Sequence, residues 1–206
     1  MYHTGAYAYD GLRAVFVSGL EAVAALLGVL NIALLVRRSV WNYAFGIAMV
    51  ALYAPVFFRE RLYSDAVLQL FFLVVQIYGW WSWARVREQA GTVVVRRLSL
   101  PGIVAWAGAC LVGWAAWSTA MHRLTDAAFP YWDGAVAAMS VTAQAMLARR
   151  LIENWPLWVA VDVVAVALYW TKGLIVTAGL YVLFLALSLW GWRAWAQAPH
   201  ERAAAA

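Results

Sequence analysis

Gly79-Trp80-Trp81-Ser82-Trp83 returns as Gly191-Trp192-Arg193-Ala194-Trp195, 112 positions later. At the same offset Asn42 meets Asn154, Arg37-Arg38 meets Arg149-Arg150, and Phe72-Leu73 meets Phe184-Leu185. The register holds without a gap from Glu21, opposite Asp133, to Ala84, opposite Ala196. A tryptophan-rich chain gives chance matches, but a constant offset over so long a stretch is the mark of an internal duplication.

The chain is 66% hydrophobic and 12% charged over 206 residues, with a mean hydropathy of +0.73. Soluble domains are nearer half apolar and a quarter charged. Here the apolar residues form runs of about 20, the length that crosses a bilayer as a helix. Open strand edges are excluded there, because lipid cannot satisfy them. The reading is an all-α polytopic membrane protein with seven spans, near 14–36, 41–58, 64–84, 101–121, 130–148, 156–171 and 174–195. Pro55, Pro101-Gly102, Pro130, Pro156 and Gly173 punctuate them. The offset divides the spans into a three-helix repeat (14–84), a linker helix (101–121) and a second three-helix repeat (130–195). Three spans followed by one return the chain to its starting side. The two bundles are therefore expected to be parallel, related by an axis near the membrane normal. A duplicated membrane protein with polar groups at matching depths reads as a transporter.

Charge assigns the sides. With the N-terminus outside, ten of the fifteen basic residues fall on the inner side: Arg37, Arg38, Arg85, Arg87, Arg96, Arg97, Arg149, Arg150, Arg193 and Arg202. Five fall outside: Arg13, Arg59, Arg61, Arg123 and Lys172. This follows the positive-inside rule and places the C-terminus in the cytoplasm. The pI of about 9.6 thus reports topology. A nucleic-acid surface is excluded by the short interhelical loops that hold the arginines. Met1–Leu12 has no basic segment and does not read as a cleaved signal peptide. Cys110 is the one cysteine and His3, His122 and His200 are scattered, so neither a disulfide, a metal site nor a cofactor site is read.

Polar residues inside the spans fall on stripes. Asn154, Trp158, Asp162, Tyr169 and Lys172 share an arc of about 80° on helix 6. The matching stripe of helix 2 is Asn42, Gly46, Met49 and Tyr53; Gln69, Gln76, Trp80 and Trp83 share a face of helix 3. Helix 7 carries Tyr181, Ser188, Trp192 and Trp195, and helix 5 carries Asp133, Ser140 and Gln144. In helix 1, Glu21, Gly28 and Asn31 align more loosely. Leu157 and Val161 are expected to face lipid.

A carboxylate at mid-span costs at least about 2.5 kcal/mol, so Asp162 needs a partner or a function. An ion pair with Lys172 or an arginine competes evenly with a cargo-binding or gating role. Helix capping competes for Asn42 and Asn154, and an interfacial aromatic belt for Trp80, Trp83, Trp192 and Trp195. The repetition of the tryptophans supports rings around an inner mouth instead. No nucleophile–base set, nucleotide loop or zinc-protease motif is present, which counts against the competing class, a membrane enzyme acting on small molecules.

Two stretches carry a family resemblance: Gln76-Ile77-Tyr78-Gly79-Trp80-Trp81-Ser82-Trp83, and Asn154-Trp155-x-x-Trp158-x-x-x-Asp162 continued by Leu168-Tyr169-x-x-Lys172, Leu180-Tyr181-x-x-Phe184 and Gly191-Trp192-x-x-Trp195. Together they resemble the PnuC family of vitamin transporters, over about residues 20–196. One departure is Ser64-Asp65 where the family pattern leads to Gly-Asp. The resemblance implies a fold similar to the SWEET sugar transporters. It also implies facilitated diffusion of nicotinamide riboside across the bacterial inner membrane, trapping by a cytoplasmic kinase, and a homotrimer. Relatives with similar motifs carry thiamine or riboflavin. The expected cargo-binding residues are Asn42, Gln69, Gln76, Trp80, Asn154, Trp158, Asp162, Tyr169, Tyr181 and Trp192, with Glu21 and Lys172 in gating or ion pairing. Tryptophan and tyrosine faces bind flat cations, by about 1–2 kcal/mol when desolvated. Asparagine and glutamine serve sugar hydroxyls and a carboxamide.

The topology is directly testable. A reporter active only in the cytoplasm is expected to work when fused after Ala206, and activity when fused before Met1 would overturn the assignment of sides.

Overall fold

In the computed structural model, residues 23, 25–59, 63–124, 130–171, 175–198 and 200–202 are described. Among them are seven helices and two short strands: α1 Ala25–Val36, α2 Asn42–Arg59, α3 Tyr63–Ala90, β1 Val95–Arg97, α4 Leu100–Leu124, α5 Pro130–Ala148, α6 Asn154–Thr171, α7 Ile175–Ala196 and β2 His200–Arg202. Glu21, Lys172 and the start of the first span lie outside the described residues.

Helix ends differ from the apolar limits for local reasons. α3 continues six residues past Ala84 through Arg85-Val86-Arg87-Glu88-Gln89-Ala90, mostly good helix formers although no longer apolar. It stops at Gly91, whose φ of 71° provides the left-handed residue that ends a helix. α6 begins at Asn154, two residues before Pro156, and proline is still tolerated in that first turn. β1 and β2 pair in parallel, Val95 with His200 and Arg97 with Arg202. Three-residue strands leave too short an alternation to read from sequence.

The turns before α2 and α6 are the same turn. Arg38 (φ 56°) and Arg150 (φ 63°), 112 positions apart, are both left-handed. The amides of Arg38 and Arg150 donate to the carbonyls of Leu35 and Leu147, and those of Ser39 and Leu151 to Leu34 and Met146. Glycine usually fills this position, and another residue costs on the order of 1 kcal/mol there. The arginine side chain offers something in return: Arg38 Nη1 donates to Val93 O at 3.1 Å, tying the turn to the segment after α3. The Arg150 carbonyl accepts from Arg96 N at 2.9 Å, which ties the second turn to β1.

α2 packs mainly on α3, and α6 on α7; α4 packs on α5. At the α4–α5 contact, Ser118 is fully buried against Gly134, where a β-carbon would lie 2.1 Å from its Oγ. Trp114 Nε1 donates to Tyr131 O at 2.9 Å. The other sides of α4 expose Ile103, Val104, Leu111 and Val112, as a lipid-facing helix does.

The principal core lies at the end where α1, α3, α5 and α7 finish and α2 and α6 begin. Trp83, Trp195, Trp155 and Tyr43 are its largest members, each 0–1% exposed. The Trp83 and Trp195 rings are 5.7 Å apart. Trp83 meets Tyr43 edge-on at 5.3 Å, and Trp195 meets Trp155 edge-on at 5.5 Å. Trp83 Nε1 donates to Leu147 O and Trp195 Nε1 to Leu35 O, both at 3.2 Å. Each bond crosses from one three-helix bundle to the other, and the two are equivalent under the offset. Gly79 and Gly191 make room for them. A β-carbon would lie 2.5 Å from the Tyr43 ring at Gly79, and 2.2 Å from the Trp155 ring at Gly191.

Trp83→Phe and Trp195→Phe are each expected to lower unfolding stability in detergent by about 1–3 kcal/mol, through the lost hydrogen bond and the smaller ring. Trp81→Phe, at a position 55% exposed, is the control. Losses no larger than the control's would show that the crossed bonds contribute nothing.

Candidate functional site

The polar groups enclosed by the helices fall into two sets, one per bundle. In the second bundle, Asp162 on α6 is 4% exposed and accepts a 2.9 Å hydrogen bond from Ser188 Oγ on α7. No lysine or arginine among the described residues pairs with it. Its partner among the described residues is a neutral hydroxyl; Lys172, weighed as its cation, lies outside them. One hydroxyl does little to offset the desolvation of a carboxylate, so the site favours a cation.

In the first bundle the centre is a glycine. A β-carbon on Gly46 would lie 1.8 Å from Gln76 Oε1 and 2.9 Å from Asn31 Nδ2. The bare α2 backbone thus admits an amide from α3 and another from α1. Asn31 Nδ2 also donates to Asn42 O at 2.6 Å. Gln76 is 6% exposed. Buried amides of this kind present both donors and acceptors to a neighbour.

An aromatic column rises from the carboxylate along α6 and α7. Tyr169 and Tyr181 stack with centroids 5.2 Å apart at 25°, and Tyr181 meets Phe184 edge-on at 5.7 Å. The Phe184 ring reaches the first bundle: a β-carbon on Gly28 would lie 3.1 Å from it and 3.7 Å from Met49 Sδ. The column therefore sits where the bundles meet.

The remaining expected residues are placed as follows. Asn42 and Asn154 each open a helix, 2% and 0% exposed, and each Nδ2 donates back to a turn carbonyl: Asn42 to Ser39 O at 2.6 Å, Asn154 to Leu151 O at 2.5 Å. Both therefore brace their own turns through the amide nitrogen, whereas an N-cap would accept a helix amide on its side-chain oxygen; Asn154 Oδ1 stays buried with no partner among the described residues. Trp158 and Gln69 are half-buried. Trp80 is half-buried against the core and lies 6.2 Å from Trp41, while Trp192 at the equivalent place is 41% exposed. Trp83 and Trp195 fill their end of the bundle and leave no mouth there. Leu157 and Val161 do not face lipid: Val161 is 5% exposed, and Leu157 packs beside Met146 and Leu151. Asn31 and Ser188 lie outside the expected set. Ser188 had a signal, since it is the duplicated counterpart of Gln76; Asn31 had only a loose stripe.

Among the described residues no group of three or more His, Cys, Asp or Glu could hold a metal. Two three-helix bundles, each enclosing polar groups, with an aromatic column where they meet, define a polytopic membrane transporter. The chain belongs to the family described as nicotinamide mononucleotide transporter, which matches residues 18–197. It is 30% identical to the nicotinamide riboside transporter PnuC of Escherichia coli (strain K12), over 96% of this chain and 91% of that one. It is 30% identical to the riboflavin/roseoflavin transporter RibM of Streptomyces davaonensis, over 85% and 83%. A crystal structure of the vitamin B3 transporter PnuC superposes with a TM-score of 0.72 at 29% identity, covering 91% of this chain and 86% of the other.

Gly46→Ala is expected to displace Gln76 and Asn31 and to lower transport roughly tenfold, the effect of about one lost buried hydrogen bond to cargo. Gly108→Ala on α4, where a β-carbon meets nothing within 4 Å, is the control. Equal transport by the two variants would remove the amide set from the site.

Proposed function

We propose that this protein carries nicotinamide riboside across the bacterial inner membrane by facilitated diffusion. The arginine-rich end faces the cytoplasm in this reading, and phosphorylation there traps the cargo. The observation that carries it is the buried Asp162, whose partner among the described residues is the Ser188 hydroxyl, below the stacked Tyr169 and Tyr181. A pyridinium supplies the missing positive charge and a flat face for the tyrosines. The Gln76 and Asn31 amides suit ribose hydroxyls and the carboxamide. Relatives named as nicotinamide riboside transporters support the reading.

The cargo is unphosphorylated. A phosphate carries up to two negative charges and calls for arginine or free helix amides. Beside Asp162 it would be repelled. Among the described residues no arginine pairs with Asp162. The RibM relative supports a second reading, a flavin, but riboflavin is neutral and bulkier and leaves the carboxylate uncompensated. Thiamine is a cationic aromatic and fits the same groups. No chemistry on the cargo is proposed.

Titration of the purified protein is expected to show riboside binding in the micromolar range or tighter, with no displacement of the riboside by nicotinamide mononucleotide. Displacement would overturn the riboside reading, and binding of riboflavin or thiamine alone would reassign the cargo. Asn154→Ala and Trp158→Ala are expected to weaken riboside binding more than Val163→Ala, which is 51% exposed. Equal effects would mean the wrong helix face.

Counterflow in sealed protein-only liposomes is expected to run at full rate without ATP or an ion gradient, and to return the riboside unaltered. Strict dependence on a proton gradient would make Asp162 a coupling residue.

A further inference from the structure

At the arginine-rich end, apart from the cargo residues, a cavity of about 280 Å³ lies between the α1–α2 turn and the segment after α3. Arg37, Arg38, Ser39, Arg87 and Thr92 line it. Arg38 spends one guanidinium nitrogen on Val93 O. Arg37 and Arg87 have no carboxylate, carbonyl or ring partner for their side chains among the described residues. Three guanidiniums thus face one cavity with no counter-ion among the described residues, and two hydroxyls stand beside them.

The duplication supplies an internal comparison. The counterpart turn in the second bundle, Arg149-Arg150-Leu151, is closed. Its Arg149 lies over the Trp106 ring at 5.2 Å. β1 seats on it through Arg96 N to Arg150 O and Ile152 N to Arg96 O. Leu151, the counterpart of Ser39, is 2% exposed among apolar side chains. Orientation alone requires arginines on this side in both turns. It does not require one turn to be stoppered and the other left open, hydroxylated and unneutralised.

We propose that this cavity binds the phosphate of a soluble phosphate monoester. Guanidiniums bind phosphate oxygens in pairs, and hydroxyls add donors. The volume accommodates a phosphate together with part of the group that bears it. One point rests on the proposed function: the monoester expected there is the phosphorylated form of the cargo, so the site senses accumulated product on the trapping side.

The test uses the full chain purified in a neutral, lipid-free detergent. Inorganic phosphate and nicotinamide mononucleotide are each expected to bind, more weakly as salt is raised, without displacing the riboside. R37Q and R87Q are each expected to weaken mononucleotide binding roughly five- to tenfold, R87K to recover part of the loss, and all three to keep wild-type riboside affinity. In liposomes, mononucleotide sealed on the arginine-rich side is expected to slow riboside counterflow by the wild type and not by R37Q/R87Q. No mononucleotide binding by the wild type, or equal binding by the variants, overturns the proposal. Displacement of phosphate by phosphatidylglycerol in nanodiscs, with no mononucleotide effect on counterflow, assigns the cavity to a lipid headgroup and also overturns it. Loss of riboside binding by the wild type would instead refute the cargo reading and leave this test standing.

Discussion

Two indole hydrogen bonds hold the halves of this protein together at one end. Trp83 of the first bundle bonds to the Leu147 carbonyl of the second, and Trp195 of the second bonds to the Leu35 carbonyl of the first. Between helices in lipid there is little hydrophobic drive, so close packing and specific hydrogen bonds must do the joining. Around this pair the chain arranges two glycines, its two left-handed arginines and a cluster of fully buried aromatic rings. Gly79 and Gly191 lie under the neighbouring rings, and the turns at Arg38 and Arg150 set the carbonyl-bearing helix ends.

The duplication separates what frames the molecule from what lines the proposed cargo site. Positions retained in both halves — Trp83 and Trp195, Gly79 and Gly191, Arg38 and Arg150, Asn42 and Asn154 — make turns, gaps and the crossed bonds. Positions that differ include the enclosed polar groups of the proposed cargo site. Gly46 faces Trp158 across the offset, Gln76 faces Ser188, Asn31 faces Ala143, and Val50 faces Asp162. A symmetric frame lets two bundles move against each other about a shared axis. An asymmetric lining lets one bundle present amides and the other a carboxylate under stacked tyrosines. Such a division suits the proposed riboside cargo, whose base and sugar need different partners.

Much of this was legible because membrane helices write themselves in long apolar runs and because the offset of 112 could be checked residue by residue. The number of helices, the 3+1+3 order and the enclosed Asp162, Gln76, Asn42 and Asn154 all follow from those two signals. Other features were not legible, for identifiable reasons. The last turn of α3 is helical without being apolar, so hydropathy ends too early. β1 and β2 are three residues each and take their bonds from distant turns. Tryptophan facing lipid, lining a mouth and filling a core all look alike along a helix. Only packing distinguishes Trp192, 41% exposed, from Trp195, fully buried three residues later. Val161 and Leu157 looked lipid-facing because an apolar residue carries no sign of which apolar neighbour it will meet.

The crossed bonds also bear on how cargo can leave. The end they seal is packed with fully buried rings, so passage there requires the bundles to part at Trp83 and Trp195. Each indole bond is worth about 0.5–1.5 kcal/mol net, and the ring contacts about as much again. Separation therefore costs a few kcal/mol, in the range that populates an alternative state at the per cent level or below without an external energy source. A much stronger seal would need a gradient or ATP to open it, and a much weaker one would leave both ends open together. A lock built from two reciprocal and individually modest bonds is compatible with the proposed transport by diffusion alone.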